Sequence, residues 1–200
     1  METFHDRIDA GQRLGRLLRQ RGLEGAVVLG IPRGGVAVAA EVATLLHSDL
    51  GVIVARKLGA PGQPELAIGA VTADGSTYVN EPLVRELAVT HEYLATERER
   101  QIAEAQRREA AFDGSRRPLI EGHTVVVVDD GIATGATAIA ALRSIRRSGA
   151  TVTILATPVG PSDTVADLAR EADEIIALWV EDHMLAVGQF YQEFEPVEDV

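Results

Sequence analysis

The run VVVVDDGIATGAT, residues 125–137, decides how the rest of the chain is read. Four consecutive valines after Thr124 form an apolar β-branched run too short for a buried helix. Such a run fits a strand covered on both faces, as in a parallel sheet. The chain then passes two carboxylates, Asp129 and Asp130, and a small-residue turn before a helical pattern begins near Thr137, with Ile139, Leu142 and Ile145 on one face and Arg143, Arg146 and Arg147 on the other. In an open parallel sheet, ligands bind beyond the carboxyl ends of the strands, where this segment points. The turn at a helix N-terminus offers free amides and a positive dipole end, which suits a phosphate. Gly135 lets the main chain approach closely, and Thr134 and Thr137 add hydroxyls. A carboxylate repels a phosphate but accepts paired hydrogen bonds from a vicinal diol. The segment therefore describes a cradle for a ribose 5-phosphate. Taken alone, the two aspartates and Gly131 read as an ordinary turn with Thr134 as a helix cap. The complete string is more specific than that.

Working outward, strands and helices alternate. Apolar runs at 26–31, 52–55, 151–157 and 174–180 predict further strands. Helical spacing appears over 34–48, from Ser162 through Ala172, and along the first twenty residues. From Pro82 to about Ala111 the pattern is again helical and dense in Glu and Arg, a solvated face. Residues 66–72 and 77–79 flank Ala73, Asp74, Gly75 and Ser76, a hairpin signal. Together these predict an α/β fold with a mostly parallel central sheet and helices on both faces. One domain spans 1–200, with a lid loop and hairpin over about 58–80 and a hood or tail over about 181–200.

Composition removes several alternatives. No cysteine occurs, which excludes disulfides, zinc–thiolate sites and a cysteine nucleophile. The charge balance of 19 basic against 30 acidic residues, net −11, argues against a nucleic-acid surface. No apolar stretch reaches the ~20 residues of a membrane span, and the start lacks a secretory signal, so a cytoplasmic protein is expected. Only 4% of residues are aromatic, so the core must be Ala, Val, Leu and Ile.

Two other segments aim cations at the same sheet edge. The first strand ends in Gly30, Ile31, Pro32, Arg33, Gly34 and Gly35, which is neither a dinucleotide fingerprint nor a Walker loop. The second ends in Arg56 and Lys57, followed by a Gly- and Pro-rich stretch up to Glu65 that suits a mobile lid from Leu58 to Leu66.

The string 125–137 resembles the signature of type I phosphoribosyltransferases: an apolar strand, two acids, a short loop and T-G-x-T. The strand–helix order agrees over most of the chain. With IPRGG at 31–35, RKLGAPGQPELAIGA at 56–70 and AVGQFYQEF at 186–194, it looks like a subgroup of phosphoribosyltransferases of unassigned substrate. The resemblance implies that Asp129 and Asp130 hold the ribose hydroxyls of 5-phosphoribosyl 1-diphosphate (PRPP). It implies that Ala133, Thr134, Gly135, Ala136 and Thr137 bind the 5-phosphate. Arg33, Gly34, Gly35, Arg56 and Lys57 fall to the diphosphate, with Glu65 a candidate base or metal contact. Magnesium, bound to substrate oxygens near Asp129 and Asp130, is the implied cofactor. Trp179, His183, Phe190 and Tyr191 are candidates to face the acceptor base, although Trp179 and Phe190 serve equally well as core.

Two positions depart from the family pattern: Gly131 replaces an aliphatic residue, and Ala133 replaces the aspartate of the hypoxanthine–guanine enzymes. The implied partners are PRPP and a small-molecule acceptor, with a homodimer allowed, and neither nucleic acid nor membrane. The competing reading is a sensor that binds PRPP or a nucleotide without turnover.

Overall fold

The four valines at 125–128 divide their side chains between two cores. Val125 and Val127 pack with Ile139, Leu142 and Ile145, whereas Val126 and Val128 pack with Val38, Val42 and Leu14. That split is the consequence of strand alternation with helices on both sides. The computed structural model describes residues 3–112 and 118–195. The last residues of the expected hood, 196–200, lie outside them.

In chain order the elements are α1 (Arg7–Gln20), β1 (Val27–Gly30), α2 (Gly34–Leu46), β2 (Leu50–Val52), β3 (Ala55–Ala60), β4 (Gln63–Thr72) and β5 (Thr77–Val79). There follow α3 (Glu81–Glu86), α4 (His91–Ala111), β6 (Thr124–Val128), α5 (Ala136–Arg147), β7 (Val152–Pro161), α6 (Ser162–Leu168) and β8 (Glu174–Glu181). A 3₁₀ turn covers Val187–Phe190. The main sheet runs β2-β1-β6-β7-β8 with every pairing parallel. Helices α1 and α2 cover one face and α5 with Leu168 of α6 the other. The expected α/β architecture is therefore observed. Among the described residues no helix is long and apolar enough to cross a membrane.

The chain entry to α1 is fixed by Asp6, whose side chain accepts from Asp9 N at 2.8 Å. Gly11 and Gly15 let α1 lie directly on α2. A Cβ at Gly11 would stand 2.8 Å from the Val38 carbonyl, and one at Gly15 2.7 Å from Leu45 Cδ1.

The lid departs from expectation. The apolar run at 52–55 is not one strand: β2 ends at Val52, and β3 begins at Ala55 in a second sheet. In place of a loop over 58–66, β3 and β4 form an antiparallel ribbon, joined by a turn with Gly62 at φ 73°. The glycines and prolines mark a bulge: register shifts on both sides of Gly59, and a Cβ there would meet Pro64 main chain at 2.8 Å. The expected hairpin at the Asp74–Gly75 turn is present, with Gly69 opposite Val79 and Val71 opposite Thr77.

The long helix from Pro82 to Ala111 is broken in two. Ala88 takes a left-handed φ of 49°, and Thr90 restarts the helix by accepting from Tyr93 N at 3.2 Å. The basic face of α5 reaches the second sheet. Arg143 donates to the Thr77 carbonyl at 2.9 Å and Arg147 to Ser76 Oγ at 3.2 Å. Helix α5 thus holds the antiparallel sheet against the parallel one, and Ala70, Ala136 and Ala140 pack at that seam.

Candidate active site

Strand β6 delivers Asp129 and Asp130 to the carboxyl edge of the sheet, beside the N-terminus of α2. Asp129 Oδ1 accepts from Asp130 N at 2.9 Å. Asp130 Oδ2 accepts from Arg7 Nε at 2.8 Å, and both of these side chains are less than one-fifth exposed. The Tyr191 hydroxyl donates to the Asp130 carbonyl at 2.5 Å. The acid pair leaves no room on its α2 side: a Cβ at Gly34 would overlap the Asp130 carboxylate. This is why the motif needs two glycines there.

Burial, and then the neighbouring Asp130 carboxylate, push Asp129 well above the usual carboxylate range, against an opposing pull from Lys57. Tyr191 is also raised, first by burial and then by the charge of Asp130.

The turn after the acids is braced from two sides. Ile132 N donates to the Val159 carbonyl at 2.9 Å, and Thr164 Oγ1 donates to the Ala133 carbonyl at 3.0 Å. Gly135 takes a left-handed φ of 71° and is the residue from which α5 starts. The first amides of α5 then have no partner within the helix, as at any helix N-terminus.

Acids and turn open on one cavity of about 380 Å³. Its walls include all of Asp129 to Ala138, together with Lys57 and Glu65 of the ribbon. The structure thus brings Asp129, Asp130, the whole turn Ala133–Thr137, Lys57 and Glu65 together. Arg33 stands at the cap of α2, exposed, after a cis Pro32–Arg33 peptide. It does not line this cavity, while Gly34 and Gly35 meet it only through the backs of the acids. Arg56, one residue from Lys57, takes the opposite face of β3 and donates to Gln101 Oε1 of α4 at 3.2 Å.

The four base-facing candidates are not gathered at the cavity. Trp179 stacks on Phe4 with centroids 3.9 Å apart, and Phe190 is fully buried in the same cluster. Tyr191 is committed to Asp130, and His183 is exposed in a bend outside the cavity wall. The wall on that side is Val187 of the 3₁₀ turn. A Cβ at Gly131 would overlap the Val187 side chain, so the volume of the missing aliphatic residue is filled from the tail.

Sequence reading did not find Arg7, Tyr78, Asn80, Leu83 or Val187. Tyr78 and Asn80 flank the end of β5, within sight of the hairpin signal. Arg7 carried no local signal, because it is one basic residue among several on an amphipathic helix.

A parallel α/β sheet with an acid pair and a glycine-bearing turn at its carboxyl edge is the arrangement of the phosphoribosyl transferase fold. Residues 5–184 match the phosphoribosyl transferase domain, and the chain belongs to that family. A protein from two strains of Mycobacterium tuberculosis, provisionally named a phosphoribosyl transferase, is 46% identical over all 200 residues. The chain spans 45% of the length of those relatives. The solved structure of TT1426 from Thermus thermophilus aligns with a TM-score of 0.82 at 40% identity, covering 100% of this chain and 94% of that one. A purine phosphoribosyltransferase from Pyrococcus horikoshii shares the fold, with a TM-score of 0.53 at 17% identity and 98% coverage of each chain.

Proposed function

We propose that the chain transfers the phosphoribosyl group of PRPP to a nitrogen acceptor of nucleobase type, releasing diphosphate. The single observation that carries this reading is the convergence of the Asp129–Asp130 pair and the Ala133–Thr137 turn on one cavity. The acceptor nitrogen bonds to C1 of the ribose as the bond from C1 to the diphosphate oxygen breaks. The leaving electron pair goes to the diphosphate, and the acceptor then loses its proton.

In this reading the α5 amides with Thr134 and Thr137 hold the 5-phosphate. Asp129 accepts from the ribose hydroxyls and favours positive charge developing on the ring. Lys57 meets the diphosphate from the ribbon, while Arg33 at the cap of α2 is the cation available where the diphosphate extends beyond this cavity, and Gly34 and Gly35 serve by leaving room for the acids. Arg56 steadies the ribbon against α4. Glu65 is the ionisable group of the ribbon placed to take a proton.

Among the described residues no three His, Asp or Glu side chains converge as a metal cage. The donor set suits a magnesium ion carried on the oxygens of the substrate, where it would neutralise charge on the leaving diphosphate.

The test is diphosphate release from PRPP and magnesium against a panel of nucleobases. Release that depends on one base and disappears in Asp129→Asn supports the transferase. Tight PRPP binding without base-dependent release identifies a sensor. Absence of PRPP binding by calorimetry overturns both.

A further inference from the structure

We infer that Arg7 is a positioning residue of the site, setting the orientation and charge of the acid pair from a helix remote from it in sequence. The inference rests on the PRPP-binding reading above. Arg7 and Asp130 are 123 positions apart, yet their side chains meet Nε to Oδ2 at 2.8 Å. The guanidinium is itself fixed. It donates through Nη1 to the Glu195 carbonyl at 2.8 Å and lies 3.9 Å from the centroid of the Phe194 ring.

Residues 190–195 are in turn tied to the segment that precedes α1. Phe4 N donates to the Phe190 carbonyl at 2.8 Å, and Gln192 N and Glu193 N donate to the carbonyls of Phe4 and His5, both at 2.9 Å. Tyr191, from the same segment, holds the Asp130 carbonyl. Main chain and side chain of Asp130 are therefore both held by this clasp, while the bare Gly34 backbone closes the third side.

The consequence is a division of labour within the pair. Asp130 Oδ2 is engaged by a cation before any ligand arrives. The adjoining Asp129 carries no ion pair within 4 Å among the described residues and stands across the cavity from Lys57. Two adjacent carboxylates repel each other and also repel an incoming polyphosphate. With Arg7 in place the Asp130 carboxylate has a counter-charge at 2.8 Å, so the pair opposes a polyanion less. Removing the guanidinium leaves Asp130 partly buried without its counter-charge and free to turn toward the sugar site.

The experiment measures PRPP–magnesium binding and base-dependent diphosphate release for wild type, Arg7→Gln, Arg7→Lys and Arg21→Gln, each with a thermal-unfolding control. Arg21 is the comparison because it also joins the α1 region to the sheet, through an exposed pair with Glu174 at 2.8 Å. Arg7→Gln is expected to weaken PRPP binding about tenfold or more, because the Asp130 carboxylate then faces the polyphosphate without its counter-charge. The change should appear in KM for PRPP more than in kcat. Arg7→Lys should recover part of it, and Arg21→Gln should bind PRPP as wild type does. An Arg7→Gln protein that is less stable but binds PRPP within twofold of wild type overturns the inference. Wild type that fails to bind PRPP overturns the transferase reading instead. If Arg7→Gln does not fold, Phe194→Ala removes the ring beneath the guanidinium and keeps both charges. Weakened PRPP binding there supports the role, and wild-type binding overturns it.

Discussion

Gly35 and Asp129 meet main chain to main chain: a Cβ at position 35 would stand 2.9 Å from Asp129 Cα and 2.7 Å from the Val128 carbonyl. Backbone on both sides of that contact cannot swing away as a side chain would. Gly35→Ala is therefore expected to push α2 off the end of β6, costing about 1–3 kcal/mol. For a chain of this size that lowers Tm by roughly 2–12 °C. PRPP binding should fall further than stability predicts, because the displaced group is the acid pair. Wild-type binding at unchanged Tm would show that the contact is slack.

Gly131 and Val187 share one volume, so their substitutions should couple. Gly131→Ala alone is expected to displace the 3₁₀ turn and reduce acceptor use. Val187→Ala alone opens the cavity and relaxes selectivity among bases of different size. The double variant should recover much of the Gly131→Ala loss, giving an interaction energy within the roughly 0.5–3 kcal/mol range typical of residues in contact. Strict additivity in a double-mutant cycle would show that the two do not compete for space.

Asp129 is a group whose acid form the folded chain prefers. Because its folded pKa is raised, its contribution to stability is fully present below the unfolded value of about 3.9 and is lost as pH rises through the folded value. Asp129→Asn removes that loss while keeping Oδ1 as an acceptor for Asp130 N. The variant is expected to melt higher than wild type at pH 7–8, by about 1.4 kcal/mol for each unit of upward shift. The advantage should vanish near pH 4. The same variant should lose PRPP binding, so the site holds its charge at the expense of the fold. A lower Tm for Asp129→Asn at neutral pH would contradict this.

Glu97 anchors the ribbon, with a side chain only 8% exposed. Burial works to raise its carboxyl, but hydrogen bonds from Arg100, Gln101 and Gly59 N outweigh it and hold the group below the usual glutamate range. The sign is opposite to that of Asp129: the stabilisation is present above about pH 4.3 and is lost as pH falls through the folded value. Glu97→Gln should cost roughly 1–3 kcal/mol at neutral pH and progressively less as pH falls through the folded value. Hydrogen exchange of the β3 and β4 amides is the direct measurement. It should quicken in the variant before the parallel sheet is affected.

The parallel sheet was legible because strand β6 announces burial on both faces with valines alone. The acids and the turn were legible because their chemistry is contiguous in sequence. The ribbon was not. Glycine and proline at 59–64 indicate a break in regular geometry, but a bulge and a loop use the same residues. The helix break at 87–90 was hidden because alanine rather than glycine takes the left-handed position. In sequence Trp179 and Phe190 read equally well as base-facing or as core, and Phe4, placed beside them by the return of the tail, settles them in the core. Arg7 meets Asp130 only after the whole sheet has formed, and no local pattern encodes such a contact.

The clasp between residues 4–7 and 190–195 also has a meaning in time. Synthesis produces Arg7 before the acids and the phosphate turn, and Tyr191 and Phe194 well after them. A nascent chain can fold its parallel core while Asp130 still lacks the tyrosine and the braced guanidinium behind it. The loop that must close between the two partners of this clasp is nearly the full described chain, the slowest kind of contact to form. The acid pair cannot have its full set of contacts until residues 190–195 have emerged from the ribosome.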